Sequence, residues 1–309
     1  IVSDVARDGE LLENALAPEL LIQQQRSRHK CERILSSRLA DKRLADYDVI
    51  GLVNVQDLTA ARWSELNTFV MSGGGLGVFL GNRVQPDNYN QDVAQDLLPV
   101  KLDKVAAPKD PVGMQAPTPS HPIVKKIHEW DNAALGQVIV ERYMRTDLSA
   151  KNARRVIDFT DGSIAFAERT FGGSRPGRVV VCATPVGSGP RDKPWNDLPQ
   201  FGALFVPLMD NLINHLAGHA EQQLNYQVGQ DVLLRAERGQ KIGQYLLVSP
   251  DSKEPTRHVA ETKNPNGPTT EAATTEGSIV VVSPEVLGNY RVAGGQGEQA
   301  FQRVFSINP

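Results

Sequence analysis

Two short runs of almost continuous apolar residues constrain the fold of this chain more than any other feature. They cover residues 47–54 and 76–80, and such runs are typical of strands buried on both faces of a sheet. Between them, Trp63, Leu66 and Val70 recur at helical spacing. Because a strand, a helix and a second strand in succession form a parallel unit, the sequence predicts a parallel sheet covered by helices.

The same alternation continues over the first two thirds of the chain. A helical pattern covers about 32–45, two strand patterns cover 165–169 and 178–182, and a long helical pattern covers about 200–217. We therefore predict that residues 1–220 form an α/β domain, a three-layer parallel sheet of flavodoxin-like type.

After this domain the helical periodicity disappears and short β-type runs alternate with turn residues. This spacing predicts a small all-β sandwich of immunoglobulin-like type over residues 221–309. A segment rich in Thr, Pro, Asn and Gly, residues 261–276, is expected to be a long loop. The predicted strands cover 228–235, 244–248, 278–282, 288–292 and 301–307.

Composition excludes several classes of protein. The formal net charge is -3 and the pI is about 6.1, whereas a nucleic-acid-binding protein concentrates basic residues on one surface. Two cysteines, Cys31 and Cys182, are too few for a disulfide scaffold and lack the spacing of a zinc site. We therefore predict no metal, no cofactor and no nucleic-acid partner.

The turn after the second apolar run carries the most specific motif. Residues 77–83 are Gly-Val-Phe-Leu-Gly-Asn-Arg, and this turn resembles the Gly-Ile-Cys-Leu-Gly-His-Gln turn of class I glutamine amidotransferases. In that alignment Phe79 stands where the family has its nucleophilic cysteine. A phenyl ring cannot attack a carbonyl, so the glutaminase reaction has no nucleophile at this position.

The remaining members of the amidotransferase triad are absent as well. If Pro185 matches the proline of the family's His-Pro-Glu run, Thr184 and Val186 replace the histidine and the glutamate. The resemblance therefore implies an amidotransferase-like fold without catalytic residues, and we predict that the chain is not an enzyme. We also predict that Phe79 is buried in the core rather than exposed at a strained turn.

A ligand pocket is predicted at the carboxyl ends of the parallel strands, where open α/β sheets bind their ligands. Asn82 and Arg83 follow one of these strands, and Asn54 ends its neighbour. The complete predicted set is Asn54, Phe79, Gly81, Asn82, Arg83 and Thr184.

Two further polar groups have simpler explanations than a site. His121 precedes a proline in a proline-rich segment, where a histidine generally fixes a loop by hydrogen bonding. Asp192, Trp195, Asn196 and Asp197 could hold a cation or a sugar, but Asp197 is also placed to cap the helix that follows.

A wider resemblance covers nearly the whole chain. The segments 44–50, 73–76, 97–99, 195–199 and 305–309, among others, resemble the amidotransferase-like region of large bacterial, planctomycete-type membrane proteins related to the aerotolerance protein BatA. Such proteins combine membrane anchors with a von Willebrand A-type domain, this region and a β-domain. The resemblance implies an extracytoplasmic location and no established reaction.

The sequence thus predicts a non-catalytic interaction or scaffold module within a membrane-anchored protein. Its partners would be other proteins or other domains of the same chain, and the membrane would be reached through flanking segments, since the sequence opens at Ile1 as an excised fragment would. The alternative is a hydrolase or transferase with an active site rebuilt near the strand ends, in which Cys182, Thr184 or His121 would take part.

Overall fold

The computed structural model describes ten segments of the chain, and they fall into two compact units, Ile1–Ala220 and Glu221–Pro309. The predicted loop at 261–276 and Asp192 lie outside the described residues. The described segments are 1–172, 176–187, 195–218, 225–229, 232–235, 244–252, 255–259, 278–281, 284–294 and 301–308.

The described helices all belong to the first unit. The α-helices are α1 Glu10–Leu16, α2 Glu19–Gln23, α3 Ala60–Met71, α4 Pro86–Tyr89, α5 Asp92–Gln95, α6 Lys125–Trp130 and α7 Gly202–Leu216. Short 3₁₀ turns cover Ala6–Gly9, Ser36–Asp41, Leu44–Asp46, Ala134–Gln137 and Leu198–Gln200.

The strands of the first unit are β1 Val2–Ser3, β2 Ile34–Leu35, β3 Val49–Val53, β4 Gly75–Phe79, β5 Val100–Ala106, β6 Met114–Gln115, β7 Tyr143–Leu148, β8 Ala153–Phe159, β9 Ile164–Thr170 and β10 Arg178–Cys182. Those of the second unit are β11 Asn225–Gln227, β12 Val232–Arg235, β13 Gln244–Val248, β14 Thr256–Val259, β15 Ser278–Val281, β16 Gly288–Gly294 and β17 Phe301–Asn308.

Eight strands of the first unit form one sheet in the order β2-β1-β3-β4-β10-β9-β8-β6. The strands from β2 to β10 in this order are parallel, and β9, β8 and β6 add to them in antiparallel fashion. The protein is therefore α/β with a large mixed sheet and additional β-sheets, and the prediction of a parallel sheet holds for five of its eight strands.

Each face of the sheet carries its own apolar core. On one face Leu12 of α1 and Leu212 of α7 pack with Phe79, and on the other Trp63 and Leu66 of α3 are completely buried. The apolar runs that predicted β3 and β4 are thus buried on both sides, as expected for central strands.

The helix expected over about 32–45 is not formed. Residues Ile34–Leu35 instead form β2, which pairs with β1, and two 3₁₀ turns follow. β2 adds one strand to the sheet beside β1. This pairing between strands outweighs the local helical pattern.

The second unit contains β-strands and a small aromatic core. Its larger sheet has the order β11-β17-β16-β13-β14, and β12 pairs with β15. The Tyr290 ring stacks on Phe305 with centroids 5.0 Å apart. Among the described residues of the whole chain, none of the helices is both long and apolar enough to cross a membrane.

Candidate functional site

Four neighbouring parallel strands end at the same edge of the large sheet, and the residues that follow them form a candidate site. Asp8 lies in the turn after β1, Asn54 directly follows β3, and Asn82 follows β4. Pro185 and Gly187 follow β10. Since the carboxyl ends of parallel strands meet at the same edge, residues distant in sequence come together here.

Asn54 is the centre of this group. Its Nδ2 donates to Asp8 Oδ2 at 2.9 Å and to Asn82 Oδ1 at 3.1 Å, and its Oδ1 accepts the backbone N–H of Arg83 at 3.0 Å. Only 6% of its surface is exposed. Every polar atom of the amide group therefore has a partner, so its side chain is fixed in one orientation.

The backbone of Asn54 is left-handed, with a φ of 51°. A non-glycine residue seldom adopts this conformation, although asparagine tolerates it better than most. The backbone N–H of Asn54 nevertheless donates to Phe79 O at 2.9 Å, which continues the ladder between β3 and β4. The chain therefore turns sharply at Asn54 without losing a hydrogen bond between β3 and β4. Residues with sparsely populated backbone angles are concentrated at functional sites.

Glycine is required beside this group because the backbones are close. A Cβ added to Gly81 would lie 2.4 Å from Asn54 Oδ1, and one added to Gly187 would lie 2.4 Å from the carbonyl oxygen of Asp8. Any larger side chain at these positions must displace its neighbour.

The group borders a small recess that opens to solvent. Its polar walls are Asp8, Asn54 and Asn82, and its apolar walls are Val53, Phe79 and Pro185. One positive charge lies close by, since Arg83 Nε is 3.7 Å from Asp8 Oδ2. The recess is therefore lined by one carboxylate and two amides, with a guanidinium beside it.

The predicted pocket residues are distributed unequally around this recess. Asn54, Phe79 and Asn82 line it, Arg83 contacts it through Asp8 and Asn54, and Gly81 packs against Asn54.

Thr184 is not part of the recess, because it is completely buried and its hydroxyl belongs to another network. It accepts from Asn196 Nδ2 at 2.7 Å and donates to Arg142 O at 3.2 Å.

Phe79 is 1% exposed, which confirms its predicted burial. Its φ is negative, since the described non-glycine residues with positive φ are Gln25 and Asn54. The altered turn thus has ordinary strand backbone at Phe79, and the left-handed residue belongs to the neighbouring strand end.

Asp8 is the pocket residue that the sequence did not reveal. It precedes an apolar segment of helical spacing, residues 10–17, and such a position indicates a helix start rather than a pocket. The structure instead places it in a 3₁₀ turn after β1, a strand of two residues that periodicity cannot detect. The sequence did not indicate Pro185 and Gly187 as pocket residues either, since Pro185 was interpreted only as part of the lost triad.

None of the groups proposed for a rebuilt active site lines the recess. Cys182 is completely buried, its Sγ donates to Thr184 O at 3.1 Å, and burial raises the pKa of its thiol to about 12. A thiol with so high a pKa carries almost no thiolate at neutral pH.

Asp197 does not cap the helix that follows it, contrary to expectation. Its Oδ1 accepts the backbone N–H of Ile139 at 2.7 Å, and the 3₁₀ turn at Leu198–Gln200 has no side-chain cap. Asn196 Nδ2 also donates to Pro185 O at 2.9 Å. The segment around Trp195 thus supports one wall of the recess from behind.

A second polar cluster lies inside the first unit. His121 Nε2 is 2.9 Å from Glu168 Oε2, and His215 Nε2 is 2.6 Å from Glu168 Oε1. Arg154 Nε donates to Glu168 Oε2 at 2.8 Å. Burial alone would raise the pKa of Glu168, but the hydrogen bonds with both histidines and the charge of Arg154 hold it well below its usual range.

The buried side chains of His121, Glu168 and His215 have the composition of a metal site. One possible ligand atom of each lies within 4.8 Å of those of the other two. A metal-bound histidine normally donates its second ring N–H. His121 Nδ1 instead accepts the backbone N–H of Ile123 at 3.3 Å, so its proton lies on Nε2 and points at Glu168. Because Arg154 also occupies Glu168 Oε2, the group fits a hydrogen-bonded network better than a cation site.

Comparisons with known proteins identify similar folds at low identity. No protein-family model matches the chain, and neither does any curated protein. The mmIFT52 N-terminal domain is 15% identical with a TM-score of 0.46, and the match covers 70% of this chain and 97% of that domain. A ThuA-like protein from Bacteroides uniformis is 12% identical with a TM-score of 0.41, over 72% of this chain and 90% of that one.

A β-galactosidase from Rahnella sp. R3 is 10% identical with a TM-score of 0.43, and the match covers 97% of this chain but only 35% of the enzyme. The β-galactosidase Gan42B and an α-L-fucosidase from Paenibacillus thiaminolyticus are similar at 11% identity. These findings correct the prediction that the chain is not an enzyme, because proteins with similar folds include glycoside hydrolases. The loss of a cysteine at Phe79 excludes one reaction, not catalysis by this fold. At these identities no activity is carried over to this chain.

Proposed function

We propose that the chain is an interaction module whose α/β unit binds a small polar ligand at the carboxyl edge of its parallel strands. The observation that carries the proposal is the left-handed Asn54, held by Asp8, Asn82 and Arg83 beside an open recess. A residue in a sparsely populated conformation costs about 1–3 kcal/mol and persists where its surroundings over-determine it.

The location of the recess supports the same conclusion. It lies outside the carboxyl ends of parallel strands, where open α/β sheets bind ligands. It also combines a few convergent polar groups with apolar walls, as small-molecule sites do. The recess is small and open to solvent, so it can enclose only a polar group of a ligand and not a drug-sized molecule.

The finer assignment rests on the sequence resemblance. We propose that the first unit is of the flavodoxin-like, amidotransferase type and that the second is an immunoglobulin-like sandwich. We also propose that both belong to the extracytoplasmic part of a membrane-anchored protein that is related to BatA and carries a von Willebrand A-type domain. Protein partners or other domains of the same chain would contact them. Labelling of engineered surface cysteines by a membrane-impermeant reagent in intact cells tests the location, and labelling only after lysis contradicts it.

Nuclear magnetic resonance tests the ligand site directly. The side-chain amides of Asn54 and Asn82 report on the recess, and the Asn90 side-chain amide, which donates to Leu102 O at 2.7 Å, is the internal control. The probes are D-glucose, L-glutamine, acetate, inorganic phosphate and putrescine at millimolar concentrations.

We expect at least one probe to shift both pocket amides and leave the Asn90 amide unchanged. Asn82→Leu keeps the size of the side chain but removes its hydrogen-bonding groups, and it should weaken the response of the Asn54 amide. If every probe leaves the Asn54 and Asn82 amides in place, the proposed ligand site is wrong.

A further inference from the structure

Helix α2 is the only described α-helix that has no buried residue. It contains three consecutive large apolar side chains, those of Leu20, Leu21 and Ile22. Leu20 is 66% exposed and Ile22 is 53% exposed. A helix at the surface of a globular protein normally packs an apolar face against the core. Since α2 buries none of its apolar residues, the core of the first unit does not explain them.

A well-defined turn joins α2 to the segment that follows it. Gln25 is left-handed, with a φ of 54°, and its N–H donates to Ile22 O at 2.9 Å. The N–H of Arg26 donates to Leu21 O at 2.8 Å. These two bonds form a Schellman motif, which ends a helix and reverses the chain. The backbone of Arg26 therefore lies beside that of the apolar helix.

The segment after this turn presents three cations to solvent. Arg26, Arg28 and Lys30 are exposed, whereas His29 Nε2 lies 2.8 Å from Asp210 Oδ1 of α7 and holds the segment against the first unit. Arg28 Nη1 is 3.8 Å from Asp210 Oδ2, but the Arg28 side chain remains exposed. The net charge of the whole chain is -3, so this positive surface is a local feature.

Exposed apolar side chains beside cations match the surface of an anionic bilayer. Apolar groups insert at the boundary between headgroups and acyl chains, and Lys and Arg are attracted to anionic headgroups. Within residues 18–30 the only acidic residue is Glu19, whose Oε1 accepts from Gln23 Nε2 at 3.2 Å. The segment thus carries more positive than negative charge.

The arrangement of the apolar residues favours lipid over a groove in an acidic protein. A groove binds one face of a helix, through residues three or four apart. The apolar residues of α2 are consecutive, so Leu20 and Ile22 point about 200° apart around the helix axis. A fluid acyl layer surrounds an inserted group from every side and does not require one apolar face.

We infer that α2 and residues 26–30 form a peripheral contact with an anionic membrane. Leu20 and Ile22 insert among the lipid headgroups, and the cations Arg26, Arg28 and Lys30 lie against the lipid phosphates. This contact needs no membrane-spanning helix. None of these residues lines the recess, so the inference and the proposed ligand site can fail independently.

Sedimentation with lipid vesicles tests the inference on the whole chain. One set of vesicles contains phosphatidylcholine alone, and the other contains phosphatidylcholine and phosphatidylglycerol in equal parts. We expect the chain to bind the second set and to bind the first much more weakly. Binding should fall with added salt, because the Debye length decreases from about 8 Å at 0.15 M to about 3 Å at 1 M.

Two variants with matched controls connect the binding to the named residues. Leu20→Ser removes one inserting side chain and should weaken binding about tenfold. Arg28→Gln removes one cation and should weaken it about fivefold. Met71→Ser and Lys101→Gln make the same kinds of change at exposed positions on α3 and β5 and should leave binding unchanged.

A further substitution distinguishes insertion from a general loss of structure. Leu20→Trp should bind anionic vesicles at least as tightly as the parent, because tryptophan favours the interface between lipid and water. If Leu20→Trp binds as weakly as Leu20→Ser, insertion is wrong. Circular dichroism of each variant should match that of the parent, since Leu20 and Arg28 are exposed.

Four other results would overturn the inference. The first is equal binding to the two sets of vesicles, and the second is an equal loss in Leu20→Ser and Met71→Ser. The third is binding to poly-L-glutamate as tight as that to anionic vesicles, which would assign the surface to an acidic protein. The fourth is self-association in analytical ultracentrifugation without vesicles that Leu20→Ser abolishes, which would make α2 an interface between two copies of the chain.

Discussion

Replacing Phe79 by alanine is the sharpest test of how the first unit is built. The ring is 1% exposed, and it lies over two glycines in neighbouring strands. Its Cε2 is 3.7 Å from the position of a Cβ on Gly51 and 3.2 Å from that of a Cβ on Gly77. Neither glycine has a side chain that could move into the space that the ring leaves.

The magnitude follows from this packing. Truncation of a buried phenylalanine costs about 3–5 kcal/mol, and the cost rises with the volume of the cavity that remains. Since the glycines cannot fill the cavity, we expect Phe79→Ala to destabilise the unit by about 4–5 kcal/mol. For a unit of this size, that corresponds to a fall in Tm of about 8–20 °C.

Tryptophan fluorescence during urea unfolding measures this effect in the intact chain. All three tryptophans, Trp63, Trp130 and Trp195, lie in the unit Ile1–Ala220, so the signal reports on that unit alone. Trp130→Ala is the matched control, because this aromatic residue is 64% exposed and its loss should cost less than about 1 kcal/mol.

Phe79→Leu should fall between the parent and Phe79→Ala, since leucine fills part of the space. If Phe79→Ala unfolds at the same urea concentration as Trp130→Ala, the ring does not support the core and the argument from burial is wrong.

Three further predictions concern the thiols, the buried carboxylate and the glycine of the recess. At pH 8, iodoacetamide should modify Cys31 before Cys182, because burial raises the pKa of Cys182 to about 12. Mass spectrometry of peptides from protein alkylated in the native state measures the order, and earlier modification of Cys182 would contradict the prediction. The pKa of Glu168 is depressed below its usual 4.5, so its stabilising contribution is present above that pH and is lost as the pH falls below it. The free energy of unfolding should therefore decrease between about pH 5 and 3, and an equal decrease in Glu168→Gln would assign the acid sensitivity to other groups. Gly81→Ala should lower the free energy of unfolding by about 1–3 kcal/mol, because the added Cβ would collide with Asn54. Gly202→Ala is the control and should not destabilise the protein, because a Cβ there has nothing within 4 Å. Similar urea midpoints for the two variants would contradict the close packing at Gly81.

The candidate site was only partly predictable from the sequence. Asn54 and Asn82 were found because each follows a run that identifies a buried parallel strand, and such strand ends share one edge of the sheet. Asp8 was missed because β1 has only two residues, too few for any periodicity. Thr184 also follows a strand, but a position after a strand does not fix the direction of the side chain, and its hydroxyl lies in the network with Asn196.

The sequence by itself determined the local elements with strong apolar patterns. The central strands β3 and β4 and the helices α3 and α7 follow from periodicity and from the turn residues that end them. The burial of Phe79 also followed, because a large apolar ring is unfavourable at an exposed strand end.

Only the tertiary structure decided which distant side chains meet. Asn54 and Asp8 are 46 residues apart in sequence, and His121 and Glu168 are 47 apart. Their contacts depend on the order of the strands, on the antiparallel addition of β9, β8 and β6, and on the face that α7 covers. Hydrophobic periodicity is a local property of the chain, whereas hydrogen bonds between buried polar groups depend on the complete three-dimensional arrangement.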